Sequence, residues 1–322
     1  MDLRLDQLKN WLQSSGIEYD DIQPASADAS FRRYFRINDS GKTYIVMDAP
    51  PEKEDCRPFI EIAEMLLGFG LHVPKILQQD TKQGFLLLSD LGDSVFLSEL
   101  NNNNVDEMYT SAMDALLLLQ QNTPVNLPVY DEKLLRTELN LFPDWYLEKQ
   151  LKITVTKSQR AVLEKVFDVL IQNALSQPQV YVHRDYHSRN LMVNSGQADK
   201  PGVIDFQDAV IGAVTYDLAS LLKDCYIDWP REKLESWVES FRLKAESFGI
   251  IKNISKKQFL RWFDLMGLQR HLKVAGIFSR LKHRDGKTGY LKDIPRTMDY
   301  VFEVLELYPE FVDLKKLLRD VL

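Results

Sequence analysis

The chain has 322 residues, of which 45% are hydrophobic and 27% charged, and its formal net charge is −7. This is the composition of a globular protein, and the length suggests two domains or one large two-lobed unit. There are 47 acidic and 40 basic residues and no dense stripe of Lys and Arg, which argues against a nucleic acid as the main partner.

Nothing in the sequence predicts a membrane segment or an export signal. No apolar run approaches the ~18 residues of a membrane span. The first sixteen residues, MDLRLDQLKNWLQSSG, contain charges throughout and lack the apolar core of a signal peptide. Cys56 and Cys225 lie far apart, which predicts reduced thiols and not a disulfide or a zinc site. We therefore expect a cytoplasmic protein.

The N-terminal third predicts a small antiparallel sheet with one intervening helix. A short helix is predicted over Leu3–Leu12, followed by two strands around the turn NDSG. A second helix is predicted to begin near Pro58 and to end at Gly68, and a hairpin is predicted around DTKQG.

From about Asp106 onward the apolar residues recur at helical spacing, and short strands return only around residues 181–206. The long segment DEKLLRTELNLFPDWYLEKQL is predicted as one helical stretch. We predict an α+β fold of two lobes, with a sheet-rich lobe over residues 1–90 and a mainly helical lobe over residues 91–322.

The stretch YVHRDYHSRNLMV concentrates ionisable side chains, and Asp185 precedes Asn190 by five residues. Two short predicted strands, Leu191–Val193 and Gly202–Phe206, would pair across a turn and bring Asn190 and Asp205 to the same end of a hairpin. Phosphoryl transfer from ATP needs a carboxylate that accepts the proton of the acceptor hydroxyl, and hard oxygen ligands for Mg²⁺. The spacing matches that of kinase catalytic loops. It predicts Asp185 as the catalytic base and Asn190 and Asp205 as magnesium ligands.

The same segment resembles the aminoglycoside phosphotransferase and choline kinase-like superfamily, which are small-molecule kinases with a bilobal protein-kinase-like fold. The residues that carry the resemblance follow in order along the chain: His183, Asp185, His187, Asn190, Ile204, Asp205, Gly212, Asp217, Leu218 and Ala219. The resemblance implies ATP and Mg²⁺ as cofactors, a nucleotide-binding N-terminal lobe and a C-terminal lobe with the substrate site. It also implies that His183 and Asp217 support the catalytic loop.

Four further segments are similar to bacterial kinases that phosphorylate the anomeric hydroxyl of N-acetylmuramate and N-acetylglucosamine in cell-wall recycling. They are ASADASFRRYFRI, YIVMDAPPEKED, LNLFPDWYL and LQRHLKVAGIFSRL. This narrower resemblance implies a small-molecule sugar as the partner, and it leaves the oligomeric state open, a monomer included. The candidate substrate-binding residues are Asp28, Arg32, Trp145, His187, Arg189, Arg270 and Lys273.

The nucleotide-binding part departs from the kinase pattern at two places. No Gly-x-Gly lies between the first two predicted strands, and small residues with amides and hydroxyls for phosphate precede the first clear strand instead. The strand TYIVMDAP has Met47 and Asp48 where an ATP-contacting Lys is expected. The alternatives for that charge are Lys42, Lys53, Arg32 and Arg33. The nucleotide-binding candidates are Ser26, Ala27, Ser30, Arg33, Lys53, Leu88, Asp90 and Leu91.

Three alternative functions stay open. The first is a kinase for an aminoglycoside, a choline-type alcohol or an amino acid, although the basic segments QRHLKV and FRRYFR disfavour a polycationic acceptor. The second is a non-catalytic nucleotide-binding module, and the third is a protein associated with tRNA modification. At the residue level, Trp145 fits a core position as well as a sugar platform, and Arg270 and Lys273 fit a solvated helix face.

Overall fold

The computed structural model describes residues 2–26, 31–124, 126–193 and 200–321. The chain begins with α1 (Leu3–Ser14), β1 (Asp21–Ser26), β2 (Arg33–Asp39), β3 (Lys42–Asp48), α2 (Arg57–Gly68), β4 (Ile76–Asp80), β5 (Phe85–Ser89) and α3 (Phe96–Glu99). It continues with α4 (Val105–Gln121), α5 (Glu132–Leu139), a π-helix (Phe142–Gln150), α6 (Lys157–Leu175), β6 (Gln179–Val182), β7 (Leu191–Met192), β8 (Gly202–Val203) and β9 (Val210–Ala213). The remaining helices are α7 (Tyr216–Leu222), α8 (Arg231–Ser247), α9 (Lys256–Asp285), α10 (Ile294–Leu307) and α11 (Val312–Val321).

The chain forms two compact units. The first comprises Met1–Glu99 and Asn190–Gln207, and the second comprises Leu100–Arg189 and Asp208–Leu322. The chain therefore passes into the first unit for the hairpin of β7 and β8 and then returns to the second. The lobe boundary expected at residue 90 stays a prediction.

The first unit is built on a five-stranded antiparallel sheet with the strand order β1-β2-β3-β5-β4. Apolar residues of α1 pack on this sheet, because Leu8, Trp11 and Leu12 share a buried cluster with Phe35 and Phe85. The predicted leading helix and both predicted hairpins are thereby confirmed.

The sequence analysis missed strand β1. This strand contains Pro24, which cannot donate a ladder hydrogen bond and therefore lowers the strand signal. The structure accommodates Pro24 because β1 is an edge strand and its register shifts between Pro24 and Ser26. The segment after residue 26 consequently lies between the first two strands of the sheet in chain order.

The hairpin of β7 and β8 joins the first unit through backbone hydrogen bonds. The Val203 N–H donates to the His72 carbonyl at 2.8 Å, and the Val193 N–H donates to the Ser94 carbonyl at 2.8 Å. A Cβ on Gly202 would lie 3.0 Å from a side-chain carbon of Leu91, so glycine permits this close packing.

The second unit is mainly helical, and α9 is its central element. Seventeen residues of this thirty-residue helix are buried, so it is covered on several sides by neighbouring helices. Strands β6 and β9 of the same unit pair antiparallel. None of the helices in the described part of the chain combines the length and the apolar character needed to cross a bilayer.

The segment predicted as one helix is divided into α5 and the π-helix. Pro143 is the second residue of the π-helix. Its ring lacks an N–H and clashes with the carbonyl four residues earlier in a regular α-helix, so the α-helical ladder cannot continue through it. A π-helix of nine residues is uncommon, and such elements frequently occur at functional sites.

Two hairpin glycines provide a matched test of this fold. Gly41 and Gly84 both have positive φ angles, +84° and +74°, so alanine at either position costs about 1 kcal/mol of backbone strain. Only at Gly84 would the new Cβ meet another group, the Ala49 carbonyl oxygen at 1.9 Å. We expect Gly84→Ala to lower the free energy of unfolding by about 1–3 kcal/mol more than Gly41→Ala does. Urea unfolding measures the difference, and equal losses would contradict the described β4–β5 turn.

Candidate active site

The loop between β6 and β7 carries the residues that the sequence singled out, and a buried carboxylate fixes its start. Asp217, at the beginning of α7, accepts hydrogen bonds from the backbone N–H of His183 at 2.6 Å and of Arg184 at 3.0 Å. Arg184 has a φ of +77°, a conformation that a non-glycine residue adopts at a cost in free energy. The bonds to Asp217 offset that cost and support the predicted bracing role of Asp217.

Asp185 follows directly and lies among positive and titratable groups of the second unit. Its backbone N–H donates to Nδ1 of His183 at 3.3 Å. Burial acts to raise the pKa of Asp185, but the charges of His187, Lys273, His183 and Arg270 outweigh burial and hold this pKa below its ordinary value. Asp185 is therefore a carboxylate at neutral pH, which is the form that accepts a proton.

A second carboxylate, Glu138 of α5, connects the loop to α9. Its oxygens lie 2.6 Å from Nη2 of Arg184 and 2.9 Å from Nζ of Lys273, and the Tyr130 hydroxyl also donates to it. Lys273 in addition donates to the Tyr216 hydroxyl at 3.0 Å. Burial acts to raise the pKa of Glu138, but Lys273 and Arg184 outweigh burial and lower it. Lys273 is thus held in an ion pair inside the protein.

Tyr226 lies beside the other end of the loop and contacts both predicted substrate-binding residues there. The His187 ring meets the Tyr226 ring edge-on, with centroids 5.6 Å apart. The Arg189 guanidinium lies 3.5 Å from the centroid of the same ring, a cation–π contact. Phe278 of α9 packs next to Tyr226 and stacks on Tyr290. His187 and Arg189 are therefore positioned by one aromatic side chain.

Asn190 and Asp205 lie at the same end of the β7–β8 hairpin, as the predicted strand pairing requires. Nδ2 of Asn190 donates to Oδ2 of Asp205 at 3.2 Å, and Nε2 of Gln207 donates to Oδ1 of Asp205 at 2.9 Å. Asp205 has a φ of +65°, which aspartate tolerates better than most residues.

This donor set fits a magnesium ion that is bound together with phosphate. Asn190 and Asp205 offer a side-chain carbonyl and a carboxylate, which are hard oxygen ligands. Within the described ranges, no group of three or more His, Cys, Asp and Glu side chains is arranged to hold a metal by itself. Mg²⁺ commonly binds through one or two carboxylates and takes its remaining ligands from phosphate and water. Asn190 and Asp205 are therefore suitable ligands for nucleotide-bound magnesium.

Comparison with known proteins agrees with this geometry. The family model described as "Phosphotransferase enzyme family" matches residues 21–249. Two relatives named N-acetylmuramate/N-acetylglucosamine kinase, from Pseudomonas putida and Pseudomonas aeruginosa, are 44% and 46% identical to this chain. Each match covers 99% of this chain and 97% of the relative. The chain belongs to the phosphotransferase enzyme family.

Solved structures of other phosphotransferases share the fold. The choline kinase LicA from Streptococcus pneumoniae superposes with a TM-score of 0.64 at 12% identity, covering 93% of this chain and 99% of that protein. The ADP-bound aminoglycoside phosphotransferase APH(2'')-Ib superposes with a TM-score of 0.62 at 15% identity, covering 92% and 98%. The predicted protein-kinase-like α+β fold and the predicted enzyme class are confirmed.

Strand β3 carries an aspartate, Asp48, at the place where the kinase pattern predicts a lysine. Asp48 is fully buried. Its carboxylate accepts bonds from Arg4 of α1 at 2.6 and 2.9 Å, and from Arg33 of β2 at 2.7 and 3.1 Å. Arg33 also pairs with Asp2. The guanidinium of Arg33, a nucleotide-binding candidate, is thus used to neutralise Asp48 and to fix α1.

The other described nucleotide-binding candidates occupy different environments. The ammonium of Lys53 lies 5.0 Å from the centroid of the Phe31 ring, and Leu88 is buried in β5. Asp90 accepts two bonds from Arg36, at 2.6 and 3.1 Å. Leu91 packs against the hairpin at Gly202, as described above. Their roles toward a nucleotide stay predictions.

Part of the predicted site lies outside the described residues. This applies to Ala27, Asp28 and Ser30 and to the side chain of Ser26. The expectation that this segment precedes the first strand is wrong, because β1 comes before it. Arg32, at the described end of the segment, has its Nε 4.0 Å from Glu54.

The sequence analysis missed several partners of the predicted residues, namely the buried Tyr130, Glu138 and Tyr216 and the half-buried Tyr226. One signal was available for Glu138. Glu138 follows Leu135 and precedes Leu139 and Phe142, at a position where helical spacing predicts an apolar residue. A charged residue at such a position indicates a buried partner of opposite charge.

Asp217 gives a pH-dependent test of the loop. Burial raises the pKa of Asp217 from 3.8 to about 7, and its backbone donors only partly oppose this. Between these values the folded state binds more protons than the unfolded state, so the contribution of Asp217 to the free energy of unfolding falls as pH rises from about 4 to about 7. Asp217→Asn removes this titration. We expect the stability of Asp217→Asn, relative to that of the unmodified protein, to rise across this range and then to level off.

Urea unfolding at several pH values between about 4 and 8 measures this relative stability. Asp168→Asn, at an exposed position of α6, controls for the change of charge. A stability difference that does not change with pH would show that Asp217 does not titrate in this range.

Proposed function

We propose that this phosphotransferase transfers the γ-phosphoryl group of ATP to the anomeric hydroxyl of N-acetylmuramate and N-acetylglucosamine. The observation that carries the reaction type is the Asp185 carboxylate, which surrounding cations keep ionised on a braced loop. The choice of acceptor is supported by relatives that carry the name of this activity, at 42–46% identity over nearly the whole chain.

In the proposed reaction, Asp185 accepts the proton of the C1 hydroxyl as the sugar oxygen attacks the γ-phosphorus. The bond between the γ-phosphorus and the β,γ-bridging oxygen breaks, and ADP leaves. The products are a sugar 1-phosphate, ADP and a proton. The catalytic contribution of the protein is orientation of the hydroxyl and stabilisation of charge, because phosphoryl transfer requires little covalent participation by the enzyme.

Asn190 and Asp205 are the residues that would hold magnesium. When bound, the ion neutralises charge on the phosphate oxygens. Nδ2 of Asn190 bonds to Asp205, so a half-turn of the amide would present Oδ1 to an ion held by the Asp205 carboxylate. ATP as the phosphoryl donor and reuse of cell-wall sugars are both consistent with a cytoplasmic location.

The first experiment measures ATP consumption with N-acetylmuramate, N-acetylglucosamine, plain hexoses, choline, kanamycin and bulk tRNA. We expect turnover only with the two acetamido sugars, and phosphorus NMR should place the phosphate on C1. Turnover with choline or kanamycin alone would keep the enzyme class and reject the acceptor. Binding of Mg-ATP without turnover of any compound would favour a non-catalytic nucleotide-binding protein.

Asp185→Asn tests the proton acceptor. The amide is isosteric with the carboxylate but cannot accept the proton, so we expect kcat to fall by about 10²–10⁴-fold. Affinity for Mg-ATP should change little, which calorimetry checks. Asp168→Asn, on the exposed face of α6, is the matched control and should retain full turnover. Unchanged turnover by Asp185→Asn would exclude Asp185 as the base.

Asp205→Asn tests the magnesium ligand while preserving the backbone, because asparagine tolerates the left-handed conformation at this position. Loss of the charged ligand should weaken Mg-ATP binding about tenfold or more. Binding of ATP without magnesium should be unaffected. Asp55→Asn, an exposed aspartate of the same unit, is the control. Equal Mg-ATP affinities of Asp205→Asn and the unmodified protein would contradict this assignment.

A further inference from the structure

Helix α9 carries four basic residues on one side, at positions 270, 273, 280 and 284. With 3.6 residues per turn, the Cβ atoms of Lys273, Arg280 and Arg284 lie within about 40° of one another around the axis. Around the helix axis, Arg270 lies about 60° from Lys273, on the same side of Lys273 as Arg284. This side of the helix begins next to the loop, because Arg270 and Lys273 both act on the charge of Asp185.

The four cations differ in their partners. Lys273 pairs with Glu138, and Arg284 pairs with Asp285 at 2.7 Å. Among the described residues, no carboxylate lies within 4 Å of Arg270 or Arg280, and neither donates a hydrogen bond. The Nε atom of each is buried without an acceptor. A buried guanidinium N–H without an acceptor is unfavourable, and such a group is a candidate for binding a ligand anion.

Arg280 lies where the two segments that resemble the anomeric kinases meet. In LQRHLKVAGIFSRL, Gly276 allows α9 to approach the π-helix of LNLFPDWYL, because a Cβ there would lie 2.4 Å from the Leu141 carbonyl. Oε1 of Gln150, at the other end of the π-helix, accepts a bond from Nζ of Lys282 at 2.9 Å. These two contacts set the π-helix alongside the Gly276–Lys282 part of α9, which contains Arg280, and Trp145 in the middle of the π-helix is half-buried.

The direction of the Arg280 side chain also follows from the helix. Arg280 is seven residues after Lys273, which corresponds to about 10 Å along the axis. Long side chains of an α-helix lean toward its N-terminus, so the guanidinium of Arg280 is directed back toward Lys273 and Glu138.

We propose that Arg280 binds the carboxylate of N-acetylmuramate and that Trp145 supports the sugar ring, so that Arg280 distinguishes the acidic sugar from the neutral one. The inference rests on the proposed function. The two sugars differ in the lactyl ether at C3, which bears a carboxylate only in N-acetylmuramate. A guanidinium matches a carboxylate with two parallel hydrogen bonds, and this geometry is specific to arginine.

The test compares kcat/KM for the two sugars in Arg280→Gln. We expect the ratio of kcat/KM for N-acetylmuramate to that for N-acetylglucosamine to fall about 10- to 100-fold, mainly through KM for N-acetylmuramate. Arg280→Lys should restore part of the ratio, because lysine keeps the charge without the paired donors. Arg284→Gln, at an exposed cation of the same helix side, is the matched control and should leave the ratio unchanged. The methyl ester of N-acetylmuramate should show no dependence of kcat/KM on Arg280.

Trp145→Leu separates the two parts of the proposal. Because both sugars have the same ring, this variant should lower kcat/KM for both by a similar factor and leave the ratio unchanged. An Arg280→Gln variant that lowers both sugars equally, or neither, would overturn the assignment of Arg280 and leave the proposed function intact. If the unmodified protein phosphorylates neither sugar, the proposed function fails, and the assignment of Arg280 fails with it.

Discussion

The arrangement of the candidate site depends on the ion pairs of Glu138. This one buried carboxylate contacts Arg184 of the loop and Lys273 of α9, and it accepts a bond from Tyr130. Without it, the buried Lys273 and the half-buried Arg184 would both lose their carboxylate partner, which is strongly unfavourable. Glu138 therefore lets the protein place positive charge near Asp185 while keeping the loop and the helix in fixed positions.

Most of the fold could be predicted because its elements depend on local patterns. Alternation of apolar residues and turn sequences specify the hairpins of the sheet, and helical spacing specifies the long helices. The two incorrect predictions of secondary structure, at β1 and at the π-helix, both involve proline. Pro24 concealed an edge strand whose pairing comes from Ile22 and its neighbours, and Pro143 divided a segment with continuous helical spacing. In each case the outcome depends on contacts with other elements, which local propensity does not contain.

In the candidate site, too, features set by local sequence could be predicted, and features set by contacts between distant segments could not. Asp185, Asn190 and Asp205 could be predicted because their spacing along the chain reflects one loop and one hairpin. Glu138 and Tyr226 could not, since they come from distant segments that only the fold brings to the loop. Asp217 was predicted only because the resemblance implied its role, and the pairing of Lys273 with Glu138 was not predicted. Sequence spacing also does not show that Lys273 has a carboxylate partner while Arg270 and Arg280 have none within 4 Å among the described residues. That difference depends on where the fold places each carboxylate.

The pairing of Asp48 with two arginines has a consequence for the N-terminus. Chain ends commonly tolerate trimming, since few buried groups depend on them. Here Arg4 supplies half of the positive charge on a fully buried carboxylate, and Asp2 both caps α1 and contacts Arg33. Proteolytic removal of the first helix would leave Asp48 with one cation in the interior of the sheet. The first fifteen residues are therefore a structural part of the first unit.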